Sequence, residues 1–399
     1  MRKFSANLVL PVSAPPIING VVVTGDDGTI LHVGERDAFD LSSIEIAEGI
    51  ICPGFINAHC HVELSYMQDK IAAGRGIAQF IIDLIDYRNS FPVEHANDFE
   101  ALISSAGELA MTEMLANGIV GVGDISNDSY TFISKANSPL RFHTFIECFG
   151  FYPEKAEKYF EYSLSLFHKA MALHLAASVT PHAPYSVPPE LFQKIFSFRH
   201  NHPPLFSYHN QESDAEASFF KNGTGGFEQV LQHFNIPSTV FFPTGKNSLQ
   251  SVIDYFPQDH KVLFVHNTTA DANDVATIAG QLPGAYFCFC PNANLYIEKR
   301  LPHFPLFAGY PDRICIGTDS YASNHQLSIL EEIKTMQKYD PSLSTAELIR
   351  WSTLNGARFF GWDQQLGSIE PGKKPGLNLL SHVTAGYNLT ENTAINKLI

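Results

Sequence analysis

Eight short apolar runs recur along the chain, and each ends in polar residues that are able to do chemistry. They cover residues 54–64, 119–126, 141–150, 173–186, 204–213, 261–269, 285–295 and 313–320. Nearly continuous apolar runs of this length are typical of strands that are buried on both faces of a parallel sheet. Segments with helical periodicity lie between most of these runs, so the pattern predicts strands that alternate with helices.

This alternation favours an α/β fold, a (β/α)8 TIM barrel that spans residues 53–363. Two of the predicted helices cover residues 76–91 and 99–118, and Gly118 suits the position just after a helix end. The length of 399 residues agrees with one large unit, because α/β barrels of this size fold as single domains. A doubly wound parallel sheet is the alternative fold.

The two ends of the chain differ from this pattern. Residues 1–52 predict short strands and turns, including a hairpin in "GVVVTGDDGTILHVG" (20–34). The tail from "LGSIEPGKKPGLNLL" onward has the same character. We therefore expect a small composite β-sandwich domain that is built from residues 1–52 and 364–399 together.

Composition and charge narrow the choice of partners. The chain is 45% hydrophobic and 17% charged, as expected of a globular protein with a sizeable core. Its net charge of −15 argues against a nucleic-acid partner, because no basic patch would neutralise phosphates. No apolar stretch is long enough to span a bilayer. The six cysteines lie scattered in apolar runs, which favours reduced thiols in a cytoplasmic protein.

The first run contains "FINAHCHVELS" (55–65), in which two histidines are one residue apart. Successive side chains of a strand point to opposite faces, so His59 and His61 share one side of the strand. Two imidazoles on one side belong either to a metal site or to a solvated polar face, and the first run alone does not decide between them.

Four of the later runs end in groups of the same kind. These groups are His182, His209, Glu212, His266 and Asp319. Active sites of barrels gather at the carboxyl ends of the strands, where nitrogen and oxygen ligands from several strands suit a divalent metal such as zinc. Each group alone has a plainer explanation, and Asp319 in "GTDS" is equally suited to cap a helix. Their joint placement on separate strands favours a metal site.

These runs resemble, in the same order, the motifs of the amidohydrolase superfamily. The motifs are "PGFINAHCHVELS", "TPHAPYS", "SYHNQES", "LFVHNT", "CPNANLYI" and "IGTDSYASN". The sequence is most similar to the aminohydrolase branch, which includes chlorohydrolase-like enzymes and deaminases of adenosine-type nucleosides, guanine and related compounds. The segment "TLNGARFFGWDQQLGSIEPGKKPGL" (353–377) resembles the last barrel helix of the family and its return to the β-domain.

The resemblance implies a role for each group. The metal ligands that it implies are His59, His61, His209 and Asp319. Glu212 would be the general acid and base, His266 would hold the attacking water, and Asp319 would accept a proton from it. Members with two metals carry a bridging lysine on the fourth strand, and residues 173–186 contain none. The resemblance therefore implies one divalent metal per chain, zinc or else iron, and a possible homodimer.

Four further residues are candidates for contact with a substrate. Glu63 follows His61 by two and therefore points to the same side of the predicted strand. There it would accept hydrogen bonds from sugar hydroxyls or an amino group, or else orient other groups of the site. His182 matches the position at which nucleoside deaminases of the family contact the sugar, and a structural strand-end histidine is the alternative. Asn294 and Ser323 follow the seventh and eighth runs, where family members shape the pocket.

The expected reaction is attack of water on the carbon that bears the amino group of a heterocycle, with release of ammonia. The expected substrate is purine nucleoside-like. The form "HCHVELS" differs from the "HTH" and methionine-rich form of S-adenosylhomocysteine/methylthioadenosine deaminases and is similar to that of aminodeoxyfutalosine deaminases, so aminodeoxyfutalosine is a candidate. The alternatives are a hydrolase of a cyclic amide, an imidazolone or a chlorinated heterocycle, and a non-catalytic metal-binding barrel.

Overall fold

The computed structural model describes residues 1–92, 95–199 and 203–399. Its strands are β1 (Arg2–Ser5), β2 (Leu8–Val9), β3 (Ile17–Ile18), β4 (Gly20–Thr24), β5 (Ile30–Glu35), β6 (Glu45–Ile46), β7 (Ile50–Pro53), β8 (Phe55–Cys60), β9 (Ile119–Ser126), β10 (Arg141–Cys148), β11 (Ala176–Pro181), β12 (Leu205–Asn210), β13 (Lys261–His266), β14 (Ala285–Phe289), β15 (Ile314–Ile316), β16 (Leu377–Ser381) and β17 (Ala394–Lys397). Its α-helices are α1 (Ile77–Asn89), α2 (Ala96–Ala116), α3 (Phe132–Asn137), α4 (Ala156–Ala172), α5 (Pro189–Ser197), α6 (Asp214–Asn222), α7 (Gly226–His233), α8 (Ser248–Val252), α9 (Ala272–Gln281), α10 (Pro291–Glu298), α11 (Ile329–Tyr339), α12 (Thr345–Trp351) and α13 (Leu354–Phe360).

The strands β8 to β15 form two parallel four-stranded sheets. Their orders are β8-β9-β10-β11 and β12-β13-β14-β15, so neighbours in sequence are neighbours in space. Each predicted apolar run contains one of these strands, and helices lie between most of them. The mixed α/β class is therefore confirmed, and the parallel register brings the carboxyl ends of the strands in each sheet to the same edge.

The two sheets also contact each other at their outer strands. A parallel bridge joins Cys60, at the end of β8, to Asp319, three residues after β15. At the opposite edges, the hydroxyls of Ser178 and Thr180 on β11 donate to carbonyls of β12 at 2.5 and 2.6 Å. These contacts connect the two sheets at both pairs of outer strands, β8 with the segment after β15 and β11 with β12.

The two helices predicted beside the first run are confirmed as α1 and α2. Gly118 follows α2 with φ +70°, a left-handed conformation that glycine adopts without a Cβ clash. The hairpin predicted at 20–34 is also present, because β4 and β5 pair antiparallel. Local sequence patterns were therefore sufficient to predict these two helices and the hairpin.

The terminal segments form two more sheets. One has the order β5-β4-β1-β6 and comes from the N-terminal segment, and the other, β17-β16-β7-β2-β3, combines strands from both ends of the chain. A single apolar cluster joins the two sheets, with Phe4 and Val22 from the first and Ile51 and Leu379 from the second. Packing against a common core therefore brings the two chain ends together.

The cysteines behave as the sequence predicts. All six are buried and form no disulfide.

Among the described residues, none of the helices combines the length and the apolar character that crossing a membrane requires.

A buried ion pair supports the chain where it leaves β8. Asp124 on β9 and Lys135 on α3 pair with both side chains fully buried. The other carboxylate oxygen of Asp124 accepts the backbone N–H of Val62 at 2.7 Å. Val62 begins the 3-10 helix Val62–Met67, which follows His61 and carries Glu63. The ion pair therefore fixes the start of the segment that carries Glu63.

Replacing Lys135 with methionine leaves the Asp124 carboxylate buried without its cation. We expect Lys135→Met to lower the free energy of unfolding by about 3–5 kcal/mol, as measured by urea denaturation. Lys194→Met breaks the exposed pair with Glu157 and should cost about 0–1 kcal/mol. Equal losses in the two variants would contradict the role given to the buried pair.

Candidate functional site

The structure brings the predicted site residues together at the carboxyl ends of the strands. The residues concerned are His59 on β8, His61 just after it, His182 just after β11, His209 on β12, His266 at the end of β13 and Asp319 after β15. All of them are buried except His182, which is half-buried. Polar side chains collected in this way at the carboxyl ends of parallel strands are typical of a functional site.

Three of these side chains converge on one point. The Nε2 atoms of His59 and His61 are 3.2 Å apart. The Oδ1 atom of Asp319 lies 3.6 Å from His59 Nε2 and 3.4 Å from His61 Nε2. In addition, one ring nitrogen from each of His59, His209 and His266 lies within 4.8 Å of the other two.

These separations fit a bound metal ion. Ligands at about 2.0–2.1 Å from a tetrahedral zinc ion are about 3.3–3.4 Å apart, close to the distances between His59, His61 and Asp319. The other nitrogens of two rings are occupied, because His59 Nδ1 lies 3.4 Å from Ser207 Oγ and His209 Nδ1 lies 3.1 Å from the carbonyl of His182. A carbonyl only accepts, so His209 carries its proton on Nδ1 and keeps a lone pair on Nε2.

The charge states also suit metal binding. Burial lowers the pKa of His61 to about 3 and that of His266 to about 4, and it lowers the pKa of His209 strongly. Burial alone would raise the pKa of Asp319, but its hydrogen bond with His59 and the neighbouring imidazoles hold that pKa below its usual range. At neutral pH His61, His209 and His266 are therefore neutral, and the Asp319 carboxylate is ionised. These are the forms of imidazole and carboxylate that ligate metals.

Glu212 lies beside this cluster. It follows β12 by two residues, it is buried, and its Oε1 is 3.6 Å from His266 Nε2. Burial raises the pKa of the Glu212 carboxyl well above its usual range, and the charges of Asp319 and Glu216 add to the shift. A raised pKa favours the protonated form of this carboxyl, which is the form that can deliver a proton to a reacting group.

The backbone at the site is strained. His266 has φ +71° and Asp319 has φ +58°, and Gln211, just before Glu212, has φ +46°. Residues other than glycine in this left-handed region cost about 1–3 kcal/mol each and cluster at functional sites. The surrounding structure therefore keeps these three residues in a backbone conformation that residues with a Cβ atom disfavour.

Glu63 and His182 have side chains that are only partly engaged. Glu63 Oε2 accepts the backbone N–H of Asn127 at 2.8 Å and that of Asp128 at 3.2 Å, whereas the buried Oε1 has no partner. Burial and the charge of Asp128 raise the pKa of Glu63 to about 8. His182 Nδ1 is 2.6 Å from Ser186 Oγ, and the His182 ring lies 4.9 Å from that of His209.

The other two predicted substrate contacts touch the site residues themselves. Asn294 Nδ2 lies 3.4 Å from His266 Nδ1 and donates to Thr268 Oγ1 at 2.6 Å. Ser323 Oγ donates to Asp319 Oδ2 at 2.5 Å. Both side chains therefore orient a neighbouring site residue in this structure.

One functional group was missed by the sequence analysis. Glu147 on β10 is buried, and its Oε1 lies 3.4 Å from His209 Nδ1. Its Oε2 accepts Asn127 Nδ2 at 3.2 Å, and burial raises the pKa of Glu147 to about 8. The signal was present in "RFHTFIECFG", where Glu147 is the single carboxylate of the run and lies near its carboxyl end.

Comparison with known proteins identifies two similar deaminases. The chain is 26% identical to an adenosine deaminase of Helicobacter pylori, over 88% of this chain and 85% of that protein. It is also 26% identical to an aminodeoxyfutalosine deaminase of a Nitratiruptor species, over 83% of this chain and 78% of that protein.

Solved structures share the fold. The aminofutalosine deaminase of Helicobacter pylori in complex with methylthio-coformycin has a TM-score of 0.78 at 23% identity and covers 96% of this chain and 93% of that chain. The atrazine chlorohydrolase of Arthrobacter aurescens complexed with zinc has a TM-score of 0.71 at 17% identity and covers 96% of this chain and 88% of that chain. The model of the Amidohydrolase family matches residues 50–398, and the chain therefore belongs to this family.

Proposed function

We propose that this chain is a metal-dependent hydrolytic deaminase that releases ammonia from an amino-substituted, purine nucleoside-like heterocycle. The observation that carries the proposal is the meeting of His59, His61 and Asp319 within 3.2 to 3.6 Å, with the buried Glu212 beside them. The similar deaminases act on substrates of this class according to their names, and aminodeoxyfutalosine is the named candidate. The enzyme is a hydrolase that acts on carbon–nitrogen bonds other than peptide bonds.

The proposal includes the architecture. We infer a closed (β/α)8 barrel over residues 53–363, supported by the bridge between Cys60 and Asp319 and by the hydrogen bonds from β11 to β12. We infer a composite β-sandwich domain of residues 1–52 and 364–399, supported by the sheet in which β7 pairs with β16. The cytoplasmic location and the homodimer stay predictions from the sequence.

We further propose one divalent metal per chain, held by His59, His61, His209 and Asp319. The neutral forms of His61 and His209, the ionised Asp319 and the 3.2 Å approach of His59 Nε2 to His61 Nε2 support this set. Zinc suits these ligands best, with iron as the alternative. A metal of this kind, when bound, lowers the pKa of a water molecule toward neutrality.

The protein groups around this position divide the proton transfers between them. His266 Nε2 orients the attacking water, and Asn294 keeps the His266 ring in place through Nδ1. Asp319 accepts a proton from the water on its carboxylate, which the Ser323 hydroxyl holds in place through Oδ2. Glu212 gives the proton of its buried carboxyl to the ring nitrogen of the substrate and takes one back from the hydroxyl on the tetrahedral carbon as the new carbonyl forms. Asp319 passes the proton that it took from water to the amino group, and the carbon–nitrogen bond breaks. Ammonia then leaves as the neutral product.

Substrate recognition centres on Glu63 and His182. The unpartnered, buried Oε1 of Glu63 requires a hydrogen-bond partner, and a hydroxyl or amino group of the substrate supplies one. His182 lies next to His209 and is half-buried, so it borders the same space. The predicted substrate contacts of Asn294 and Ser323 stay predictions.

A non-catalytic binding barrel is a weaker alternative, because binding a metal does not require the buried, protonated Glu212 beside the ligands. A hydrolase of cyclic amides, imidazolones or chlorinated heterocycles would use the same groups. The substrate panel below separates these functions.

Metal content tests the ligand set. We expect the purified protein to contain about one zinc or iron ion per chain when measured by elemental analysis. His61→Ala removes a ligand and should lower this content severalfold, whereas His325→Ala, at an exposed position, should leave it unchanged. Two metal ions per chain in the unaltered protein would contradict the single site.

Substitution of Glu212 tests the proton transfer. We expect Glu212→Gln to retain the metal and to lower kcat by roughly 10²–10⁴-fold, because the amide cannot donate and accept protons in turn. Glu157→Gln, at an exposed position, is the matched control and should leave kcat unchanged. Near-normal kcat in Glu212→Gln would remove this residue from the mechanism.

A substrate panel tests the activity itself. We expect ammonia release from at least one purine nucleoside-like compound in a panel of adenosine-type nucleosides, aminodeoxyfutalosine, guanine and pterins, because Glu212 and Asp319 are placed to move protons to a leaving amino group. Cyclic amides, imidazolones and chlorinated triazines form the comparison arm. Turnover confined to that arm would overturn the deaminase proposal, and a metal-loaded protein inactive on every compound would favour the binding barrel.

A further inference from the structure

The turn between β12 and α6 carries Glu212, and the residue before Glu212 has an unfavourable backbone conformation. Gln211 has φ +46°, and helix α6 begins two residues after Glu212, at Asp214. A residue other than glycine in this conformation requires contacts that hold it there. The contacts of this turn therefore decide where the Glu212 carboxyl is presented.

Glu216 accepts hydrogen bonds from the backbone of this turn with both carboxylate oxygens. Its Oε1 accepts the N–H of Gln211 at 3.1 Å, and its Oε2 accepts the N–H of Glu212 at 3.2 Å. The Ser248 hydroxyl also donates to Oε1, and only 1% of Glu216 is exposed. One buried side chain thus fixes two consecutive amides, including that of Glu212 itself.

This use of Glu216 departs from ordinary helix capping. Ser213 caps α6 by accepting the N–H of Glu216 at 3.1 Å, and Glu216 occupies the third position of the helix. In a capping box the side chain at that position bonds to the N–H of the capping residue. Here the Glu216 side chain instead accepts the N–H groups of Glu212 and Gln211, which lie one and two residues before the capping residue. It therefore stabilises the turn rather than the cap.

The opposite side of the turn is held by other groups. The Gln211 side chain donates to Asp274 Oδ2 at 2.7 Å, and the Gln211 carbonyl accepts the backbone N–H of Thr269 at 2.9 Å. Within the described part of the chain, the hydrogen bond of the Glu212 N–H goes to Glu216. Gln211 is therefore fixed from two sides, whereas the Glu212 backbone depends on Glu216.

We propose that Glu216 is a positioning residue that sets the Glu212 carboxyl in its reactive place by clamping the backbone of residues 211–212. The inference rests on the proposed function, in which Glu212 transfers protons. Glu216 acts through the backbone of the turn and takes no part in the proton transfer itself.

A double-mutant cycle measures this dependence. Glu216→Gln leaves one carbonyl oxygen for two N–H donors, so the turn loosens, and we expect kcat on the best substrate to fall by about tenfold to a hundredfold with KM and metal content nearly unchanged. In a Glu212→Gln background the same substitution should have no further effect on the residual rate, because its effect passes through Glu212. Full additivity of the two losses would overturn the proposal.

Glu332→Gln is the matched control. Glu332 is fully buried and accepts the backbone N–H of Asn292 at 2.9 Å and Asn324 Nδ2 at 2.8 Å, so it resembles Glu216 in burial and chemistry. Any loss in Glu332→Gln should add to that of Glu212→Gln. If Glu216→Gln does not fold, Ser248→Ala, which removes a donor to Glu216, should give a smaller loss of kcat with the same non-additivity.

Hydrogen exchange separates this proposal from the proposed function. We expect the amides of residues 211–212 to exchange at least severalfold faster in Glu216→Gln than in the unaltered protein, with no comparable change in Glu332→Gln. Unchanged exchange would overturn the clamp even in an active deaminase. Faster exchange in a protein without deaminase activity would instead contradict the proposed function and leave the clamp supported.

Discussion

The removal of imidazoles and carboxylates from water at the carboxyl ends of the strands is the constraint on which the rest of this structure depends. Burial keeps His61 and His266 neutral, and it raises the pKa of Glu212, which favours the protonated carboxyl. The same burial would be unfavourable without partners, because a polar group that leaves water must recover its hydrogen bonds or its charge partner. Much of the surrounding structure serves to supply those partners.

The scaffold supplies them from several strands at once. Ser207 and the carbonyl of His182 occupy the outer nitrogens of His59 and His209, and Ser323 occupies one oxygen of Asp319. A few groups are left without a partner, and Glu63 Oε1 is one of them. Strained backbone and unsatisfied acceptors lower the stability of the fold, and both coincide here with the place where chemistry would occur.

Much of the fold was predictable, because it rests on local patterns. The apolar runs located the strands of both parallel sheets, and the helical periodicity located α1 and α2 to within three residues. The spacing of His59 and His61 predicted that both lie on one side of a strand. In the structure β8 ends at Cys60, so His61 follows the strand, yet the two Nε2 atoms lie 3.2 Å apart. Glu147 and Glu216 were not predicted, because a carboxylate in a strand or in a first helical turn has many ordinary uses in sequence.

The sequence by itself determined which side chains can ligate a metal and which strand each of them lies on or follows, since ligand chemistry and apolar runs are local properties. Only the tertiary structure decided which atoms meet. The 3.2 Å approach of two Nε2 atoms, the free oxygen of Glu63 and the reach of Glu216 back to Glu212 depend on side-chain torsions and on the packing of neighbouring elements. The sequence pattern does not encode these distances, because each buried group has several possible partners. The packing of the folded chain decides which of them comes within hydrogen-bond distance.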